Sequence, residues 1–150
     1  MIADMDQEIL LVEDDPNDAE LIMRAFKKGK LATSVVHLRD GAEAVDYMAD
    51  GRRPGRSSFP RVIVLDLKLP KLNGLEVLQK LKSDARTKDI PVVILTSSQE
   101  ESDITKAYAL GVNSYITKPI ESDAFSRTVV DMFSYWLRLN RTRREHEGDI

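Results

Sequence analysis

Three short apolar runs and a short last strand candidate, each closed by a polar residue, constrain the fold of this chain more than any other feature. Glu8 to Val12 (EILLV) runs into Glu13-Asp14-Asp15, Val62 to Leu65 (VIVL) into Asp66, Ile90 to Leu95 (IPVVIL) into Thr96-Ser97-Ser98, and Ser114 to Thr117 (SYIT) into Lys118-Pro119. Short unbroken apolar runs rich in β-branched residues predict strands buried on both faces of a parallel sheet. Ser34 to Leu38 is a fifth, weaker strand candidate.

Helical spacing fills the intervals. Pro16 stands at a first helical position with Asp15 as N-cap and Asp18 in the first turn, and Leu21, Ile22, Ala25 and Phe26 follow until Lys28-Gly29-Lys30 closes the segment. Asp40 to Glu43 and Asn73 to Glu76 resemble capping boxes, the first before Ala42, Val45, Met48 and Ala49, the second before Val77, Leu78 and Leu81. Ser98 with Glu101 predicts another, before Ile104, Ala107 and Tyr108, with Gly111 as the stop. A last helix runs from Ser122 to about Leu139, its apolar face carrying Phe125, Val129, Met132, Phe133, Trp136 and Leu137. Five strands alternating with five helices predict an α/β fold with a doubly wound parallel sheet.

The chain has 150 residues, 42% of them hydrophobic, which suits one core, so residues 1–140 are expected to form a single domain and 141–150 a charged tail. A net charge of −3 gives no reason to expect a nucleic-acid or membrane partner. The absence of cysteine excludes disulfide and thiol chemistry. With no signal-peptide pattern and no run near the roughly 20 residues of a membrane span, a cytoplasmic setting is expected.

Open α/β sheets gather their chemistry at the carboxyl ends of the strands. If the strongest strands are parallel, Glu13, Asp14, Asp66, Thr96 and Lys118 share one rim. Three carboxylates that close repel one another in a cleft and call for a cation. Oxygen ligands without Cys or a His pair favour Mg²⁺, or Mn²⁺, over zinc. Lys118 and Thr96 would hold phosphoryl oxygens, and Asp66 would be a nucleophile able to carry phosphorus as an aspartyl-phosphate.

The motif set LLVEDD (Leu10 to Asp15), VLDLKLP (Val64 to Pro70), LTSS (Leu95 to Ser98) and YITKP (Tyr115 to Pro119) resembles the receiver domain of two-component response regulators over nearly the whole chain, from Glu8 to Leu139. The resemblance implies a five-stranded sheet in the flavodoxin-like order 2-1-3-4-5. It also implies metal binding by Glu13, Asp14, Asp66 and the backbone carbonyl of Lys68, phosphorylation of Asp66, phosphoryl contacts from Thr96 and Lys118, and an aromatic switch at Tyr115. A sensor histidine kinase would be the donor. Output would pass through another protein or a homodimer formed by the fourth helix, last strand and last helix, there being no room for a DNA-binding domain. The GRRPGRSSFP loop (Gly51 to Pro60) and Tyr135-Trp136 resemble the small stand-alone regulators that serve bacterial phytochrome kinases.

Taken singly, each residue has a plainer role. A lone Asp after a strand is more often a cap or turn former, Lys118 would be a surface turn lysine, Tyr115 edge packing, and the Arg52, Arg53, Arg56 loop a solvated surface. It is their joint placement that favours a site. A haloacid-dehalogenase-type phosphatase also uses a strand-end Asp, Mg²⁺ and a Lys, but needs an acid two residues after the nucleophile, where this chain has Lys68. A non-phosphorylated receiver-like scaffold is disfavoured by the intact acid set, and a nucleotide-binding flavodoxin-like protein by the lack of a Gly-rich loop after the first strand.

Overall fold

A computed structural model describes residues 8–30, 34–49, 59–118 and 122–139. The elements are β1 (Glu8–Val12), α1 (Pro16–Lys28), β2 (Ser34–Leu38), α2 (Gly41–Ala49), β3 (Val62–Leu65), α3 (Gly74–Ser83), β4 (Val92–Thr96), α4 (Glu101–Ala109), β5 (Ser114–Thr117) and α5 (Ser122–Ser134), ending in a π-helical turn, Tyr135–Leu139. All strand pairs are parallel, in the order β2-β1-β3-β4-β5.

Because helices cover both faces of the sheet, the apolar runs are unbroken, and period-2 alternation divides them between two cores. Leu10, Val12, Ile63, Leu65, Val92 and Ile94 pack with Ala44 and Met48 of α2, Val77, Leu78 and Leu81 of α3 and Ala107 of α4. Ile9, Leu11, Val62, Val64, Val93 and Leu95 face the other way, onto Ala19, Ile22, Ala25 and Phe26 of α1 and Val129, Phe133 and Leu137 at the carboxyl end of the chain's last helix. The Phe26 and Phe133 rings meet edge to face, 5.0 Å apart.

Local chemistry sets most of the boundaries. Asp15 caps α1 by accepting from the amides of Asn17 and Asp18, with Pro16 inside the first turn. Asn73 and Glu76 form the expected capping box of α3, and Asp40 Oδ1 accepts from the Glu43 amide at 2.8 Å. Gly111 has φ +99°, the left-handed conformation that lets the chain turn from α4 towards β5.

Four expectations are corrected. The fourth strand begins at Val92, Ile90 and Pro91 forming its buried approach. Leu21 and Tyr108 lie off the buried stripes and are exposed. The last helix is not α throughout but widens to a π turn at Tyr135. Ser98 does not cap α4: the N-cap is Glu100, without a side-chain cap bond, and Ser98 Oγ donates to Asp103 Oδ2 at 2.6 Å. Most of the GRRPGRSSFP loop (51–58), the Phe125 side chain, Pro119 and the tail 140–150 lie outside the described residues.

One glycine supports the site directly. The Gly74 amide donates to the Leu67 carbonyl at 2.8 Å, and a Cβ there would stand 2.7 Å from Leu67 Cα and collide with the Asp66 carbonyl. Both obstacles are backbone, so Gly74→Ala is expected to destabilise the fold by about 2 to 3 kcal/mol. Urea unfolding checks this, and an unchanged midpoint would mean that the loop after Asp66 yields freely.

Candidate active site at the strand ends

The sheet register builds the site. Val12 pairs with Leu65 and Thr96 with Thr117, and the ladder continues one residue further: the Glu13 amide donates to Leu38 O at 3.0 Å, the Asp66 amide to Val12 O at 3.1 Å and the Lys118 amide to Thr96 O at 2.7 Å. Alternation then places Glu13 with Leu11, Asp66 with Val64, and Lys118 with Ile116, all on the side of the sheet that α1 and α5 cover. Thr96 and Tyr115 fall in the opposite parity, towards α4.

Glu13, Asp66 and Thr96 are buried, and Asp14 is exposed. Carboxylate oxygens of Glu13, Asp14 and Asp66 lie within 4.8 Å of one another. The Lys118 side chain, only 5% exposed, sends its ammonium to Glu13 Oε1 at 2.7 Å, Asp18 Oδ2 at 2.9 Å and Asp66 Oδ2 at 3.0 Å. Lys118 is therefore a buried ammonium spending its three donors on three carboxylates. Burial alone would lower its pKa, but the hydrogen bonds it donates to Glu13, Asp18 and Asp66 outweigh that and hold it above the ordinary lysine value.

The carboxylates respond unequally. Burial, reinforced by the charge of Asp66 and only partly offset by Lys118, pushes Glu13 up to about 8. Burial also acts against ionised Asp66, but the hydrogen bond from Glu13, the Lys118 charge and the hydrogen bond of Thr96 hold it below the usual carboxylate value. Burial thus favours the protonated form of Glu13, while the neighbours of Asp66 favour its ionised form.

Around this centre, the Lys68 amide donates to Asp66 Oδ1 at 3.2 Å, while the Lys68 side chain is exposed. Lys71, in the same loop, has φ +69°, uncommon for a non-glycine residue. The Ser98 amide reaches Thr96 Oγ1 at 3.5 Å, and the Tyr115 hydroxyl donates to Ser98 O at 2.9 Å. Burial, with the charges of Asp103, Asp66 and Glu100, keeps the Tyr115 phenol above its ordinary pKa and neutral. A hydrogen-bonded chain therefore links Asp66 through Thr96 and Ser98 to Tyr115 and, by the Ser98 hydroxyl, to Asp103 on α4.

All the residues expected at the rim lie there. Two more were not expected. Asp18 contacts Lys118 directly, although first-turn acids are ordinarily explained by the helix dipole. Its signal is its phase, one helical turn before Ile22 and two before Ala25 on the buried stripe of α1. His37 Nε2 lies 2.8 Å from the Glu13 carbonyl and steadies the end of β1.

The fit to a divalent cation is chemical. The donors are oxygen only, three carboxylates converge, and burial, with the charge of Asp66, drives Glu13 to keep a proton although Lys118 hydrogen-bonds to it. Glu13, Asp14 and Asp66 would hold the ion, which would neutralise carboxylates and polarise a phosphoryl oxygen.

Known proteins resemble this arrangement. Residues 9–130 match the family described as response regulator receiver domain. The probable methanogenesis regulatory protein FilR2 of Methanothrix harundinacea is 46% identical, the alignment covering 89% of this chain and 86% of that one. Response regulator Rcp1 of Synechocystis sp. is 38% identical over 86% and 88% of the two chains, and its Mn²⁺-bound crystal structure aligns with a TM-score of 0.82 over 91% and 98%. The crystal structure of the phosphorylated cyanobacterial phytochrome response regulator RcpA is 40% identical and aligns with a TM-score of 0.83, again over 91% and 98%. With the sheet order and the acid, hydroxyl and amine gathered at the strand ends, these matches make the chain a member of the response regulator receiver domain family.

Proposed function

We propose that the protein is a phosphorylation switch in which Asp66 accepts a phosphoryl group from a sensor histidine kinase with Mg²⁺, or Mn²⁺, held by Glu13, Asp14, Asp66 and the Lys68 carbonyl. The observation that carries this is the Lys118 ammonium on Asp66 and Glu13 inside a buried rim. A point charge there stabilises the negative charge that develops as phosphorus is transferred, without reorganisation. The ionised state of Asp66 suits a nucleophile.

The added dianion attracts the Thr96 hydroxyl and Lys118. Any shift of Thr96 strains its contact with the Ser98 amide, and so bears on the carbonyl that holds Tyr115. The face that would change is α4, β5 and α5, and it leaves Tyr108 52% exposed and Tyr135, just beyond α5, 47% exposed. Pairing of two copies through this face would cover such aromatics and give output by protein contact. Mg²⁺-dependent self-phosphorylation from small donors and self-dephosphorylation are the only chemistry required. The likeness to RcpA favours a phytochrome-type kinase as donor, in the cytoplasm.

Intact-mass spectrometry after acetyl phosphate and Mg²⁺ treatment is expected to show one phosphoryl adduct on the wild type and none on Asp66→Asn. An adduct of equal yield on the variant would place the acceptor elsewhere.

A further inference from the structure

Lys118 gives three hydrogen bonds, and two of its acceptors, Glu13 and Asp66, belong to the phosphoacceptor centre. The third, Asp18, comes from a different element, the first turn of α1, and lies 2.9 Å from the ammonium. Its place there is fixed: the Asp18 amide donates to the Asp15 cap at 3.2 Å, and the next turns of α1 are anchored by fully buried Ile22 and by Ala25. The Asp18 side chain is 21% exposed, against 2% for Glu13 and 8% for Asp66. The contact is therefore shielded from salt more than a surface pair but does not form the floor of the site.

The consequence concerns charge. With all three of its protons donated to carboxyl groups, the ammonium presents a smaller positive field to an arriving anion than it would without the charge of Asp18. We propose that Asp18 is a positioning residue for the phosphoryl transfer, acting through Lys118: it holds the ammonium on the α1 side and partly neutralises it, slowing the acceptance of phosphoryl groups by Asp66. This rests on the assignment of Asp66 as acceptor. In the step itself a carboxylate oxygen of Asp66 forms a bond to phosphorus. The bond from phosphorus to the acetate oxygen of acetyl phosphate breaks, acetate leaves with the electron pair, and no proton is gained or lost. Asp18 takes no part in the bonds. It sets how much of the Lys118 charge is available to the transferred oxygens.

Asp18→Asn keeps the shape and a carbonyl acceptor for Lys118 while removing the charge, and Asp18→Ala removes both. At saturating Mg²⁺, intact-mass time courses are expected to show phosphorylation by dianionic acetyl phosphate accelerated about tenfold in either variant. With monoanionic phosphoramidate the gain is expected to be about threefold, because a Coulomb term scales with the charge of the incoming group. A merely structural role for Asp18 would move both donors alike. Adduct formation at the wild-type rate in both variants, or equal acceleration with both donors, overturns this role and leaves the acceptor assignment standing. Absence of adduct from wild type and variants together takes down the acceptor assignment and this proposal with it.

Discussion

Lys118→Ala is expected to slow phosphorylation by acetyl phosphate by about 100-fold, the usual cost of removing one preorganised electrostatic contact to a reacting group. It is also expected to destabilise the unliganded protein by about 3 kcal/mol at pH 8, because the ammonium is the shared partner of Glu13, Asp18 and Asp66, and breaking a buried ion pair from one side strands the opposite charge. The loss should shrink at pH 5, where a proton on Glu13 relieves the repulsion. Urea unfolding followed by the single tryptophan, Trp136, measures the second effect, and quantitative mass spectrometry the first. A variant as stable as wild type at pH 8 would mean that Lys118 does not hold the acids together in solution.

The metal-free protein is expected to lose stability as pH rises. Glu13 has an ordinary pKa of 4.5 and a folded value of about 8. Between those values the folded chain binds more protons than the unfolded one, so unfolding free energy falls with increasing pH. We expect a loss of about 3 kcal/mol between pH 5 and 8 from this group by linkage. Asp66, held below its ordinary value, works in the opposite sense, its stabilisation being lost only as pH falls below the normal carboxylate range, so the two windows do not overlap. Glu13→Gln should flatten the slope, and Mg²⁺ at about 100 times its dissociation constant should restore about 2.7 kcal/mol at pH 8. Stability that rises from pH 5 to 8 in the metal-free protein would contradict the protonated Glu13.

Much of this site could be read from residue order because parallel strands make chain position equivalent to spatial position. Once Val12, Leu65, Thr96 and Thr117 end neighbouring strands, the residues there meet without further information. Even the side of the sheet was legible, since Glu13, Asp66 and Lys118 continue the parity of Leu11, Val64 and Ile116. The order of the sheet came from family resemblance, because periodicity alone does not say which strand lies beside which. Asp18 escaped notice since an acid in a first helical turn is already accounted for by the dipole and cap. Only its phase with Ile22 and Ala25 distinguishes it. The capping box at Ser98 and Glu101 failed for a different reason. The sequence pattern is present, but Asp103 takes the serine hydroxyl and Tyr115 its carbonyl, and the helix starts two residues later than a Ser98 cap would place it. Leu21 and Tyr108 show that apolar identity at helical spacing does not settle burial when a flanking residue is already the better fit to the stripe.

The central claim is that phosphorus is carried by one particular carboxylate. Borohydride reduction of the protein after acetyl phosphate and Mg²⁺ treatment cleaves an acyl phosphate and converts the modified aspartate to homoserine, which peptide sequencing by mass spectrometry locates. Conversion at Asp66, and at neither Asp14 nor Asp18, is the predicted result. Conversion at another acid, or none in a protein that carries the adduct mass, would contradict the account.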